Sequence, residues 1–479
     1  MSPSFRVERI VRSYAWIAGA EILSKGMGFV AFAVLARVLA PPAYGVLELA
    51  VAVSMVALLF VDFGLGPTAA RTMTTDPERA DSMTGSVPAI RLGLALVSLL
   101  LAIGLGPLLA TTPDGRTLIV LYTAALLFAP WILDWVFQGL DRTAWVAPAQ
   151  LLRMSVFLAG VVLWIDGPQQ LVRVGAIEIA SFATLAIYYV LASRSHGQRP
   201  ALRPDAASVR ELIRESAPVG AGQLLWVLNQ YLPTFVVAGW LAGPELAYYG
   251  AAHRIVFGLG SFVFLYFFTL YPALVRATHE RRDEFVPLVT LSMRATAWLG
   301  GLGAIAGTLL AAPVSALAFG AEFGPTGPLL AVLVWALPIH LISGHARFAL
   351  IAAGEARAQM QAQAFGVAVT AVGCATLVPR LGALGAAIAL LAAATGVWAW
   401  AHIATRRRVG PLPGLAPLGR PAAAVAVSLL AATSLPTEST WLRAAVGTGS
   451  FAAVGLWSER HALTALAALL RGEPREQAP

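Results

Sequence analysis

The chain has 479 residues, 58% of them hydrophobic and only 12% charged, and its mean hydropathy is +0.74. A soluble protein carries about 25% charged residues, so half that charge on a chain this long excludes a water-soluble enzyme of two or three domains. The formal net charge is +8 and Lys25 is the only lysine, so the positive balance is almost wholly arginine; it is no nucleic-acid signal until its location is known.

Arg6, Arg9 and Arg12 precede an apolar run over 14–40. The run is too long for a secretory signal and ends at Pro41-Pro42 without a cleavage site, so it reads as a retained first membrane helix. About 20 apolar residues cross the hydrocarbon. Scanning at that length gives further spans at 44–66, 88–110, 117–139, 145–165 and 171–193. A second six follow at 216–242, 247–271, 288–319, 326–353, 359–379 and 381–404, and two more at 418–435 and 440–457. The stretch 459–471 is too short and charged to span and reads as an amphipathic helix in the interface. Cys374 is the only cysteine, so no disulfide within the chain and no cysteine metal cluster can form.

Arginine placement orients the spans. With the N-terminus inside, about 22 arginines fall on the inner side. They include Arg71, Arg79, Arg142, Arg276, the group Arg194 to Arg214, and Arg406 to Arg408. Only Arg116, Arg173, Arg380 and Arg443 fall outside. This predicts an all-α polytopic protein of fourteen transmembrane helices with both termini cytoplasmic. The longest connection, 193–215, is Arg-rich, holds Pro200 and Pro204, and reads as a hinge linker near the middle of the twelve-helix region.

The halves resemble each other. A shift of 205 residues lays Tyr44-Gly45 on Tyr249-Gly250 and Phe63, Leu65, Pro67 and Arg71 on Phe268, Leu270, Pro272 and Arg276. Six helices per unit makes the repeats parallel, about an axis along the membrane normal, and two such lobes can rock in alternating access. The expected organisation is a six-helix bundle over 1–200, a second over 201–409, and two extra helices with a tail over 410–479.

Ionisable groups in hydrocarbon are costly and usually line an interior or a wet cavity. Glu21 and Lys25 stand i,i+4 in the first helix, where they can pair, with Arg37 near its outer end. Glu48 and Asp62 follow in the second helix, then Arg91, Asp134, Arg153 and Glu178. The second half has Gln223, Asn229, Gln230, His253, Arg254, Arg294, His340, His345 and Arg347. Lys25, Arg153 and Arg254 lie deep in their spans and favour a basic cavity suited to an anion such as a pyrophosphate. Asp62, Arg91, Asp134 and Arg294 lie near helix ends and are equally read as snorkelling to headgroups. His340 and His345, spaced i,i+5, do not share one helix face, and no HExxH pattern makes them metal ligands. A proton or cation role is open for Glu21, Asp62 and Glu178. No cofactor is expected; transport would draw on a Na+ or H+ gradient or on the membrane potential.

Lys25 does not lie in a Gly-Lys-Ser/Thr motif, which argues against ATP hydrolysis by this chain. No GxSxG occurs, and the short outer loops count against a glycan polymerase or ligase.

The segments LARVLAPPAYG (Leu35–Gly45), VDFGLGPTAAR (Val61–Arg71), LAGPELAYYGAAHRI (Leu241–Ile255) and LYPALVR (Leu270–Arg276) resemble the bacterial polysaccharide (O-antigen, Wzx-type) flippases. That group belongs to the superfamily that also holds lipid II flippases and multidrug-and-toxin-extrusion (MATE) transporters. The resemblance implies twelve core helices in two bundles, often with two additional helices. It implies movement of an undecaprenyl-diphosphate-linked oligosaccharide from the cytoplasmic to the outer leaflet of the bacterial inner membrane. It further implies membrane lipids and polysaccharide polymerase machinery as partners, no nucleic acid, and a monomer. Lys25, Arg37 and Arg254 carry over as diphosphate-binding candidates beside Arg153, with Arg71 and Arg276 at a cytoplasmic gate. Glu21, Asp62, Arg91, His253, Arg294 and Arg347 are further gate or cavity candidates. The competing readings are a drug/cation antiporter, which predicts an acidic cavity, and the polymerase or ligase.

Overall fold

The computed structural model describes residues 3–460 except 199 and 242, with side chains from Gly19 onward, Pro77 excepted. Arg6, Arg9, Arg12, Arg199, Arg471, Arg475 and most of the tail expected as an interfacial helix lie outside the described side chains. Among the described residues there are helices, turns and no strands.

The first helix, α1 (Pro3–Asp62), is two limbs, 3–39 and 41–62, joined at Ala40. Pro41 and Pro42 lack the N–H groups that would continue the ladder, and Pro disfavours α geometry at the residue before it. Ala40 accordingly sits at φ 59°, ψ 166°, a region close to glycine-only. The second limb ends at Phe63 and Gly64, both with positive φ. The short α2 (Leu65–Thr75) and then α3 (Ala80–Leu109) follow. The fourth crossing, expected as one helix, is broken. It consists of α4 (Pro113–Ala124), a 3-10 stretch over Ala125–Trp131 that contains Pro130, and α5 (Asp134–Gly139). α6 (Val146–Trp164) and α7 (Leu171–Ser195) complete the first half.

The second half opens with α8 (Ala206–Trp240), ten residues earlier than apolarity indicates, because Asp205 caps it by accepting from Ser208 N at 2.9 Å. The linker is therefore only 196–205. It is also tied down, which its composition does not reveal. Ala201 N donates to Thr84 O, and Gly85 leaves room for the Arg203 carbonyl. Arg79 pairs with Glu211 at 2.6 Å, and the hydroxyls of Ser82 and Ser208 meet at 2.7 Å.

α9 (Glu245–His279) and α10 (Arg282–Leu309) follow, then α11 (Ala311–Phe319), α12 (Thr326–Leu333) and α13 (Ala336–Ala352). The expected spans 288–319 and 326–353 are thus each interrupted once. α14 (Ala356–Leu381) and α15 (Ala383–Arg408) close the half, and α16 (Ala416–Thr433) and α17 (Thr440–Ser458) form a final hairpin. Eleven stretches are long and apolar enough to cross a membrane; the first bends at Ala40 and provides two crossings. With α8 and α17, which are long enough but more polar, the fourteen expected helices are all present.

α1, α4, α6 and α7 enclose one core, and α8, α9, α12, α14 and α15 another. Residues of α9 and α11, among them Ala247, Ala251 and Phe319, extend the first core across the seam between halves. The hairpin α16–α17 leans on α10, where Gly301 and Gly455 admit the rings of Phe451 and Trp298.

The strain at Ala40 gives a test. Ala40→Gly should raise the melting temperature of the purified protein in detergent, since such a backbone costs roughly 1–3 kcal/mol in a non-glycine residue. A lower melting temperature would show that the bend is unstrained.

Candidate functional site

Most of the charged candidates on the membrane-spanning helices occur as pairs. Lys25 Nζ lies 2.9 Å from Glu21 Oε1, one turn away on α1, and both side chains remain about half exposed. Arg91 on α3 pairs with Asp62 at the end of α1 and donates to Ile132 O at 2.8 Å. Asp134 lies within electrostatic reach of both. Arg153 on α6 reaches Glu178 on α7 at 2.7 Å and lies over the Phe182 ring. Each carboxylate thus meets the desolvation of its arginine, as buried ions require.

The fourth pair joins the halves. Arg254 on α9 donates from Nε to Glu48 Oε1 at 2.8 Å and from Nη2 to Oε2 at 2.9 Å. This is a two-pronged guanidinium–carboxylate contact, the strongest geometry for such a pair. The guanidinium also lies over Phe32 of the first limb, 3.3 Å from the ring centroid, where cation–π attraction adds to the pair. Glycine makes the approach feasible. A Cβ on Gly250 would stand 2.5 Å from Glu48 Cγ, and one on Gly45 would stand 3.2 Å from Ala247 N. The Tyr-Gly motifs read as repeat-related in sequence therefore meet at the same seam. Tyr44 and Tyr248 pack on Phe323 beside it.

The other candidates are dispersed. Arg37 donates to the Leu317 carbonyl at the end of α11 and borders an apolar cleft with Phe29, Val30 and Val314. Arg71 and Arg276 are exposed. His253 is buried, rings with Tyr231, Tyr249 and Phe257 about it, and its Nε2 has no hydrogen-bond partner. Arg294 pairs with Glu459, which also accepts from Trp298 Nε1 at 3.1 Å, so it holds the end of α17. Arg347 and His340 are half-buried neighbours on α13, with Arg347 Nε lacking a hydrogen-bond partner. No group of three or more potential metal ligands occurs among the described residues.

Sequence reasoning named Arg254 but did not single out Glu48. The available signal was the second Tyr-Gly, which marks a close helix crossing four residues before Arg254. It also missed the aromatic faces of Phe32 and Phe182.

Fourteen helices in two groups, joined by an ion pair at their seam, define a polytopic membrane protein. The sequence profile of the polysaccharide biosynthesis protein family matches residues 10–278, and the chain belongs to that family. Its fold is that of the lipid II flippase MurJ in an inward closed conformation: TM-score 0.75 at 12% identity, over 93% of this chain and 99% of that one. A MATE family transporter of the MOP superfamily in an inward-facing conformation is also similar, with TM-score 0.61 and 14% identity over 80% of this chain and 94% of that one. The Vibrio cholerae MATE transporter VcmN, as a mutant, gives TM-score 0.53 and 16% identity over 84% and 98%. No curated protein sequence matches the chain. The resemblance read from the motifs is borne out, and the family and its neighbours are flippases and transporters.

Removing Arg254 alone leaves Glu48 buried and unpaired, which costs about 3–5 kcal/mol for such pairs. Arg254→Met should therefore lower stability sharply, and Arg254→Met with Glu48→Leu should recover much of the loss. Thermal unfolding of the singles and the double reports the coupling; strictly additive losses would show that the two groups do not depend on one another.

Proposed function

We propose that the protein flips an undecaprenyl-diphosphate-linked oligosaccharide from the cytoplasmic to the outer leaflet of the bacterial cytoplasmic membrane, for cell-surface polysaccharide synthesis. The observation that carries this is the Glu48–Arg254 pair at the seam. Arg254 is held between the two halves by a carboxylate, and a diphosphate offers the same planar fork a more highly charged acceptor. In this reading the diphosphate displaces Glu48, breaks the tie between α1 and α9, and lets the halves separate. The energy that opens the seam is then the difference between two anions on one guanidinium, the differential affinity a conformational switch needs.

Family membership, the shared fold with a lipid II flippase and the repeated Tyr-Gly motifs support this reading. Lys25, exposed and held only by a one-turn partner, supplies a second cation on the first limb at little cost. The arginine bias supports a cytoplasmic position for the linker face of the bundle. The two halves act as parallel repeats around the seam.

One observation favours the antiporter reading: three carboxylates, Glu48, Asp62 and Glu178, lie inside the bundle, and each could take a cation in place of its partner. The two readings separate on substrate. In a strain lacking its own flippase, this chain should restore leaflet-specific labelling of the lipid-linked glycan on the outer face. Arg254→Gln should reduce that delivery at least tenfold while the protein still inserts. Undiminished delivery by the variant, or drug resistance without glycan delivery, would reject the proposal.

A further inference from the structure

A second polar chain runs through the other half, outside the pairs described above. Tyr266 on α9 meets Ser292 on α10, Oη to Oγ at 2.5 Å. Ser292 Oγ meets His345 Nε2 on α13 at 2.6 Å. His345 Nδ1 stands 3.2 Å from the Ile342 carbonyl. A carbonyl only accepts, so Nδ1 carries the hydrogen and Nε2 of the neutral ring is an acceptor. Direction then follows along the chain: Tyr266 donates to Ser292, and Ser292 donates to His345.

We infer that Tyr266, Ser292 and His345 form a proton-binding relay, with His345 the site that takes the coupling proton. A hydronium ion at Tyr266 would give its proton to Oη. Tyr266 passes its own proton to Ser292 Oγ, and Ser292 passes its own to Nε2. The products are water and an imidazolium; the two hydrogen bonds between the side chains have reversed, and Nδ1 still donates to the Ile342 carbonyl. Histidine is the side chain whose ordinary titration falls in the range of cellular proton gradients.

The surroundings make this binding conformational. His345 is 1% exposed and Ser292 7%, whereas Tyr266 is half-buried, so Tyr266 is the more accessible end of the chain. α9 faces the imidazole with Tyr266 and with Phe267, whose ring lies edge-on 5.0 Å away. α10 offers Ser292 and no ionisable group within bonding reach. From α14 and α15 the surrounding cluster is Ala358, Ala362, Val397 and Ala401, with Thr405 bonded to the Ala346 carbonyl. On α13 itself, His340 and Arg347 are the ionisable neighbours, and neither bonds to His345. No carboxylate stands ready to meet an imidazolium among the described residues. A charge there without counter-ion is costly, so protonation and opening of this packing occur together.

The packing is tight enough for that to be a discrete step. Phe267 stacks on Phe348, and its ring edge occupies the space a Cβ on Gly344 would need. α9 links the relay to the seam. Tyr266 is twelve residues beyond Arg254, about 18 Å along the helix and roughly a third of a turn around it. One side of α9 holds Glu48 of the first half, and another holds the relay. The inference rests on the flippase reading for its purpose, but the relay itself can be tested without glycolipid.

The test uses the full chain, with Cys374→Ala, purified and spin-labelled at Val30 on α1 and Leu259 on α9, both exposed. The α1–α9 distance distribution is measured by pulsed electron resonance from about pH 5 to pH 8. The parent should shift between two populations across that range. His345→Gln, which keeps hydrogen-bonding capacity, should be fixed in one population at all pH values. Ser292→Ala, which leaves His345 in place but interrupts the relay, should displace the midpoint. A pH-dependent shift in His345→Gln equal to the parent's, or no shift in the parent, would overturn the inference. Should His345→Gln fail to fold, an unchanged midpoint in Ser292→Ala overturns it equally. If the labels respond as stated while glycan delivery fails, it is the substrate reading that falls and not the relay.

Discussion

The cost of a charge in hydrocarbon organises this molecule. A chain with so few charged residues still places at least eight of them in ion pairs along its membrane-spanning helices, six of them buried or half-buried, and the pairing offsets the cost. Three pairs lie within the first half. The fourth, Glu48 with Arg254, is made between the halves, so it is an electrostatic requirement and a mechanical joint together. Neither half can move from the other at this point without leaving one member exposed to a low dielectric, unless water or another ion takes the vacated place. The glycines at 45 and 250 exist on the same terms, since the pair forms only where the two helices can approach this closely.

α9 is where the constraint becomes a route for coupling. It carries Arg254 towards α1 and Tyr266 towards α10 and α13, with an aromatic run between. A rigid helix with two polar attachments on different sides transmits a change at one to the other without any intervening wire of side chains. The C-terminal hairpin lies elsewhere, held to α10 by Phe451 and by Glu459 on Arg294. Arg294 is therefore engaged in fastening the hairpin in this structure, neither snorkelling to headgroups nor lining a cavity, the two readings its place near a helix end had left open.

What the sequence disclosed follows physical range. Membrane crossings are a property of local composition, and all fourteen were legible at that level. Their interruptions at Ala125–Trp131 and around Leu310 were not, because an apolar run reads the same whether straight or broken. Glu21 with Lys25 was legible because one helical turn fixes it. Glu48 with Arg254 was not, because 206 residues separate the partners and only the crossing of α1 on α9 brings them together. The i,i+5 spacing of His340 and His345 showed correctly that the two do not converge; it could not show that His345 bonds to a serine on another helix. The linker read as a hinge on its prolines, whereas Ala201, Ser208 and Glu211 fasten it and the start of α8 to the first half through backbone and side-chain contacts that composition does not encode.

The central claim is that Arg254 is held by Glu48 until a diphosphate takes its place. It is tested most directly by equilibrium binding of a short-chain polyprenyl diphosphate to the purified protein and to Glu48→Gln. With the competing carboxylate gone, the variant should bind the diphosphate about tenfold or more tightly, a difference of roughly 1.4 kcal/mol or more. Equal or weaker binding by Glu48→Gln, in a protein that retains its fold, would contradict the account.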